Sequence, residues 1–245
     1  MLHHLPAAAD AADTAATITA TNARFQAVID AAAAAGGGVV EAGPGIHLLS
    51  GIQLRSQVVL RLAAGSRLVA ATDPLIYLRL PVTSQIFGAS QRCLIGALDA
   101  HGVGIEGPGE IDLRGVSCMD WQSVRNGDHL PATALAQLTP EQLEQTTITS
   151  RERPENGILF HRCTGVRLQG FTVRDSPCFT ITLSACVEVM IRDLRLRNSL
   201  RVPNSDGLHL SGCRDVTVSG CDIVAGDDAL AITAVTASTA GATPR

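Results

Sequence analysis

The chain has 245 residues, a net charge of -4, 46% hydrophobic residues and only 3% aromatic ones. Its 19 basic residues are all arginine, and they form no basic cluster of the kind that binds nucleic acid; no apolar run reaches the length of a membrane span. Many small aliphatics and few rings suit a stack of thin layers better than one large globular core.

Residues 1–20 have no positive leader, and Asp10 and Asp13 interrupt the apolar part. The stretch therefore does not read as a secretory signal and is expected to be a flexible extension. As written the chain is cytoplasmic, or secreted or periplasmic if the true start lies upstream. From Asn22 to about Ala35 an alanine-rich amphipathic pattern predicts a helix, capped by Thr21 and stopped by Gly36-Gly37-Gly38. Its expected task is to cover the first layer of the chain that follows.

Short strands broken by Gly and Ser come next, at Val39-Val40, Ile46 to Leu49, Ile52 to Leu54, Val58 to Leu62 and Leu68-Val69. Another strand pair punctuated by glycine lies in residues 103–115. Residues 116–154 are less regular, hold the single tryptophan, Trp121, and suggest a helix near Pro140 to Gln145. In a repeat protein such a segment is a loop insertion, often beside the binding face. Trp121 can stack on a sugar ring or pack the loop against the layers.

After this insertion the chain repeats itself. The segments ILFHRC (158–163), ITLSAC (181–186), LHLSGC (208–213) and LAITAV (230–235) align at offsets of 23, 27 and 22 residues. Each of the first three is followed by a second set of alternating aliphatics. Strand repeats of this period mark a parallel solenoid, in which each rung buries its face only against its neighbours. The predicted fold is therefore all-β, a parallel β-helix forming a single domain over residues 21–232, with 233–245 as a tail outside the rung pattern. Cys163, Cys186 and Cys213 fall at one rung position and read as a buried column of small apolar thiols without a catalytic role. Seven cysteines, an odd number with no C-x-x-C pair, fit neither a zinc site nor a complete disulfide framework.

Three carboxylates interrupt this aliphatic pattern, in Asn204-Ser205-Asp206-Gly207 and Gly226-Asp227-Asp228. Asp206 lies two residues before Leu208, and Asp228 two before Leu230. In rung register they stand one above the other at about 4.8 Å. Asp227 is equivalent to Ser205 and would face the other way along a regular strand. Bringing all three acids together requires a bend at Gly226. Taken separately, both motifs are also ordinary turn signals.

The chain resembles glycoside hydrolase family 28, the polygalacturonases and their relatives, from about residue 14 to Ile232. The resemblance is carried by the glycine run after the first helix, the leucine-rich residues 51–68, Gly107 to Gly115, Arg153-Pro154, Asp175-Ser176-Pro177, and above all by Asn204-Ser205-Asp206 and Gly226-Asp227-Asp228. It implies a right-handed parallel β-helix and metal-independent, cofactor-free inverting hydrolysis of α-1,4-galacturonosidic bonds in polygalacturonan or a related pectic polysaccharide. By the same resemblance Asp227 is the general acid, while Asp206 and Asp228 hold and deprotonate the attacking water. Asn204 and Arg201 are candidate substrate contacts. The expected partner is a pectic poly- or oligosaccharide met by a monomer, with no nucleic acid or membrane.

The family's Gly-His-Gly and Arg-x-Lys motifs are absent from this sequence, which contains no lysine. The expectation is an incomplete chain, with weak or no activity of its own. Two further readings stay open: a polysaccharide lyase on the same scaffold, and a non-catalytic glycan-binding β-helix.

Overall fold

A computed structural model describes residues 1–5, 14–84, 86–125, 139, 141 and 147–234, with the side chains of 121–125 and 147–149 outside the description. Most of its strands fall into three parallel sheets that run the length of a right-handed β-helix. The first sheet has seven strands, from Leu2–Leu5 and Gly38–Ala42 to Val187–Arg192 and Arg214–Ser219. The second has six, from Gly45–Leu49 to Asp222–Val224.

The third sheet carries the acids. Its strands are Ile52–Leu54, Ile95–Leu98, Asn156–His161, Phe179–Ser184, Leu208–Ser211 and Leu230–Thr233. Register pairs Ile158 with Ile181, Ile181 with Leu208, and Leu208 with Leu230. This is the alignment that the repeat offsets predict.

Alternation within each strand sends every second side chain inward, and like residues stack on like. Ile95, Ile158, Ile181 and Leu208 form one fully buried column. Each such side chain contributes about 1.5–3 kcal/mol of burial energy. In the last rung the same columns open, with Leu230 and Ile232 exposed. The seven cysteines are free thiols. Cys163 and Cys186 are buried, and the column continues through donation from the Cys213 thiol to the Leu183 carbonyl at 3.2 Å.

The helix begins earlier than the sequence pattern suggests, running over Ala15–Ala34 with Thr14 as its cap. Thr21 lies inside it, and its hydroxyl donates to the Thr17 carbonyl at 2.9 Å. Two threonines precede good helix formers, and the apolar face decides between them. Ile18, Thr21, Phe25, Ile29 and Ala32 are all buried, so the stripe already needs a turn before Asn22.

Polar side chains of this helix also satisfy a sheet edge. Gln26 accepts from the Gln53 backbone N–H at 2.8 Å and donates to its carbonyl at 3.0 Å. Asn22 accepts from Ser50 N–H at 3.0 Å. An edge strand that would otherwise present unpaired backbone groups is thereby covered.

Residues 2–5, expected to belong to a flexible extension, instead pair with Gly38–Ala42, because Leu5 is buried and His4 meets Glu41 at 3.1 Å. The 116–154 insertion opens with Met119–Arg125 paired antiparallel to Thr147–Ser150. Of the helix expected near Pro140 to Gln145, only Glu141 is among the described residues. The side chain of Trp121 also lies outside them.

Candidate active site

The ladder of the third sheet continues past its strand ends into the acids. Thr180 N–H donates to the Asp206 carbonyl at 3.0 Å, and Gly207 N–H to the Asp228 carbonyl at 2.9 Å. Extending the register by two residues places Asn156, Phe179, Asp206 and Asp228 in one column. The predicted stacking of Asp206 and Asp228 on successive rungs is what this ladder produces.

Four extra residues in the 27-residue offset form the loop that precedes Asp206. Its last residue before Ser205, Asn204, takes a left-handed backbone with φ 56°, a conformation asparagine tolerates better than most residues. Arg153 fastens this loop. Its guanidinium donates to the carbonyls of Pro177 at 2.6 Å and Pro203 at 2.5 Å, and to Asn204 Oδ1 at 2.9 Å.

The bend at Gly226 is present, but its cause is proximity rather than a left-handed backbone. A Cβ there would lie 2.6 Å from the Ser199 carbonyl and 2.7 Å from that of Val202. Buried Ser205 donates to the Val202 carbonyl at 2.8 Å and accepts from Gly226 N–H at 3.0 Å. The second acid motif is thus pinned to the first. Asp227 leaves this turn within electrostatic reach of Asp206.

The electrostatics register that meeting. Partial burial pushes the Asp227 carboxyl above its ordinary range, and the charges of Asp206 and Asp228 push the same way. The backbone N–H groups of Asp228 and Asn204 act in the opposite direction without cancelling the rise. The Asp228 N–H donates to Asp227 Oδ1 at 3.0 Å.

Asp206 is buried, whereas Asp227 and Asp228 are exposed. Asp206 Oδ2 accepts from His209 Nδ1 at 2.9 Å. The other ring nitrogen meets Thr233 Oγ1 at 3.0 Å. The imidazole stacks on Phe179 with centroids 4.4 Å apart and an interplanar angle of 16°, and Phe87 meets Phe179 edge-on at 5.1 Å.

Of the five residues singled out in the sequence, the structure brings Asp206, Asp227, Asp228 and the backbone of Asn204 together. Arg201 lies half-buried in the same loop, its own N–H on Ser199 Oγ at 3.3 Å. A basic side chain that touches Asn204 is Arg153. His209 and Phe179 escape a reading based on motifs. The one signal for His209 is its position, a titratable ring three residues after Asp206 in a slot between two leucines.

Beside this cleft lies a pocket of about 210 Å³, lined by Phe87, Arg92, Arg151, Glu152, Arg153, Glu155 and Cys178. Arg92 is its buried centre. It meets Glu155 at 2.6 Å, Glu152 at 2.6 Å and the Arg153 carbonyl at 2.6 Å. Burial opposes ionisation of Glu155, but the Arg92 side chain and backbone N–H outweigh it and hold the carboxyl below its ordinary value. Among the described residues, no group of three or more His, Cys, Asp or Glu side chains is arranged to hold a metal ion.

The molecule is a parallel β-helix that carries three acids at the ends of successive rungs. The chain belongs to glycosyl hydrolases family 28, whose pattern it matches over residues 88–240, more than half its length. It is 31% identical over 140 residues to a probable polygalacturonase of Arabidopsis thaliana, covering 57% of this chain and 24% of that protein.

A polygalacturonase of Gossypium barbadense is 32% identical over 93 residues, 36% of this chain and 23% of the relative. The chain thus spans about a quarter of the length of these curated relatives. Among solved structures, the exopolygalacturonase of Thermotoga maritima superposes with a TM-score of 0.67 at 22% identity, over 86% of this chain and 50% of that one. The Erwinia carotovora polygalacturonase gives 0.65 at 21%, over 96% and 58%. These two likenesses establish the fold.

Proposed function

We propose that this chain carries the acid/base centre of an inverting glycoside hydrolase acting on α-1,4-galacturonosidic bonds of polygalacturonan or a related pectic polysaccharide. The observation that carries the reading is the raised Asp227 carboxyl beside Asp206, which is itself engaged by His209. Acid/base hydrolysis needs carboxyl groups of opposite protonation state at one bond, and unequal surroundings are how proteins create them. Family membership and the names of the relatives supply the substrate class.

In this mechanism Asp227 gives its proton to the leaving glycosidic oxygen. Asp206 and Asp228 hold a water on the opposite face of the sugar and take its proton as the water attacks. The anomeric carbon exchanges its bond to the leaving sugar for a bond to the water oxygen, with inversion. Asn204, set by Arg153 at the cleft edge, and Arg201 in the same loop are substrate contacts in this reading.

The test is to follow polygalacturonate by reducing-end assay and by proton NMR of the first product. An inverting enzyme releases the β-anomer, and Asp227→Asn lowers turnover by about 10²–10⁴-fold while the chain stays folded. An α-anomer first, or full turnover by the variant, overturns the assignment. An unsaturated product made only with calcium would mean a lyase, and saturable binding without product a glycan-binding module.

A further inference from the structure

Asp206 has a side-chain partner that is not part of either acid motif. His209 sits in the same strand and reaches back three residues to Asp206 Oδ2 at 2.9 Å. A carboxylate oxygen only accepts hydrogen bonds, so His209 Nδ1 carries the proton in this contact. In the neutral ring Nε2 is then an acceptor, and the Thr233 hydroxyl, 3.0 Å away, donates to it. The Asp206 carboxylate therefore sets which nitrogen is protonated, and the Thr233 hydroxyl, able to donate or accept, completes the bonding of the ring.

The ring plane is set as well. Phe179 lies parallel to it at 4.4 Å, and Phe87 packs edge-on against Phe179 at 5.1 Å. Both partners of the contact are shielded, with side-chain exposures of 14% for His209 and 6% for Asp206. A hydrogen bond to a charged group is short and strong in such surroundings.

We infer that His209 is a positioning residue, drawn into its Nδ1–H form by the Asp206 carboxylate and held in place by Thr233 and Phe179, which orients that carboxylate so that Oδ2 is occupied and Oδ1 is left for the attacking water. The inference deepens the proposed function and rests on Asp206 acting there as a base. Three successive rungs contribute to the device: Phe179 from one, Asp206 and His209 from the next, Thr233 from the last. It therefore forms only when the rung containing Leu230–Thr233 is in register.

Two amides separate this role from simple packing. Asparagine places its NH₂ near the position of Nδ1 and can donate to Asp206; glutamine places it near Nε2 and cannot. On a galacturonan oligomer, His209→Asn should keep kcat within about threefold of the unaltered chain. His209→Gln should lose up to about 100-fold in kcat with KM unchanged, as expected of a misplaced catalytic group. Equal loss in both variants, or loss through KM alone, overturns the inference.

Nitrogen-15 NMR of the His209 ring decides the matter without turnover. In the unaltered chain, at a pH where the ring is neutral, Nδ1 should carry the proton, and Asp206→Ala should return it to Nε2. A ring protonated at Nε2 in the unaltered chain overturns the inference. Where the unaltered chain shows no turnover, the ring spectrum alone judges the grip of His209 on Asp206, Nδ1 protonation upholding it and Nε2 protonation overturning it.

Discussion

Two charged clusters border the same sheet, and they are built on opposite rules. Around Arg92 every charge is answered: the guanidinium is buried with 7% side-chain exposure, between Glu155, Glu152 and the carbonyls of Arg153 and Pro74. Two rungs further on, three carboxylates stand at the ends of successive rungs and Asp227 is pushed away from ionisation. The first cluster is compensated, so it secures the fold. The second holds repulsion that folding alone would remove, which is the usual mark of a site kept for chemistry.

That contrast can be broken most forcefully from the compensated side. Arg92→Ala leaves half-buried Glu155 without its cation and should cost about 3 kcal/mol of stability, measured by urea unfolding. A loss below about 1 kcal/mol would mean that the cluster is no more than a surface ion network.

The next effect belongs to the turn that makes the acid cluster possible. Gly226→Ala drives a methyl group against the Ser199 and Val202 carbonyls, which are backbone and cannot swing aside. It should cost about 1–3 kcal/mol and displace Asp227, so that turnover falls further than stability explains. Unchanged turnover with a normal melt would show that the close approach is not required.

The smallest effect is the most diagnostic of stored repulsion. Because folding raises the Asp227 carboxyl above its ordinary value of 3.8, the group favours the folded state most below that value. The contribution is lost as pH rises through the folded value. Asp227→Asn should therefore melt about 1–2 °C higher than the parent at pH 7, with the gain vanishing near pH 3. A variant that melts lower at neutral pH would place Asp227 among the compensated charges.

Much of this architecture is legible in the chain because rung stacking is a periodic signal. The offsets align Ile158, Ile181, Leu208 and Leu230 without structural input, and that register alone puts Asp228 over Asp206. Gly226 is legible as a bend, but its reason depends on Ser199 and Val202 more than twenty residues away.

Thr14 against Thr21 turns on which face of the helix meets the first rung, a tertiary fact. The Arg92 bond to Glu155 and the Arg153 bond to Pro203 join residues 63 and 50 positions apart, and no local pattern encodes such pairings. His209 was in view as the second residue of a recognised repeat. Its role emerges only when Phe179 and Thr233 arrive from the neighbouring rungs.

The Arg92 cluster also has a meaning for chain closure. Ile158 must find Ile181 across a span of 23 residues, but Ile95 across 63, because the insertion lies between. Closing the longer loop costs about 0.9 kcal/mol more entropy. Glu152, Arg153 and Glu155 stand where the chain comes back, immediately before Asn156. The salt bridges to Arg92 therefore clasp the chain at the longest closure between paired strands of this sheet, where a capped first half meets a second half of closely spaced rungs.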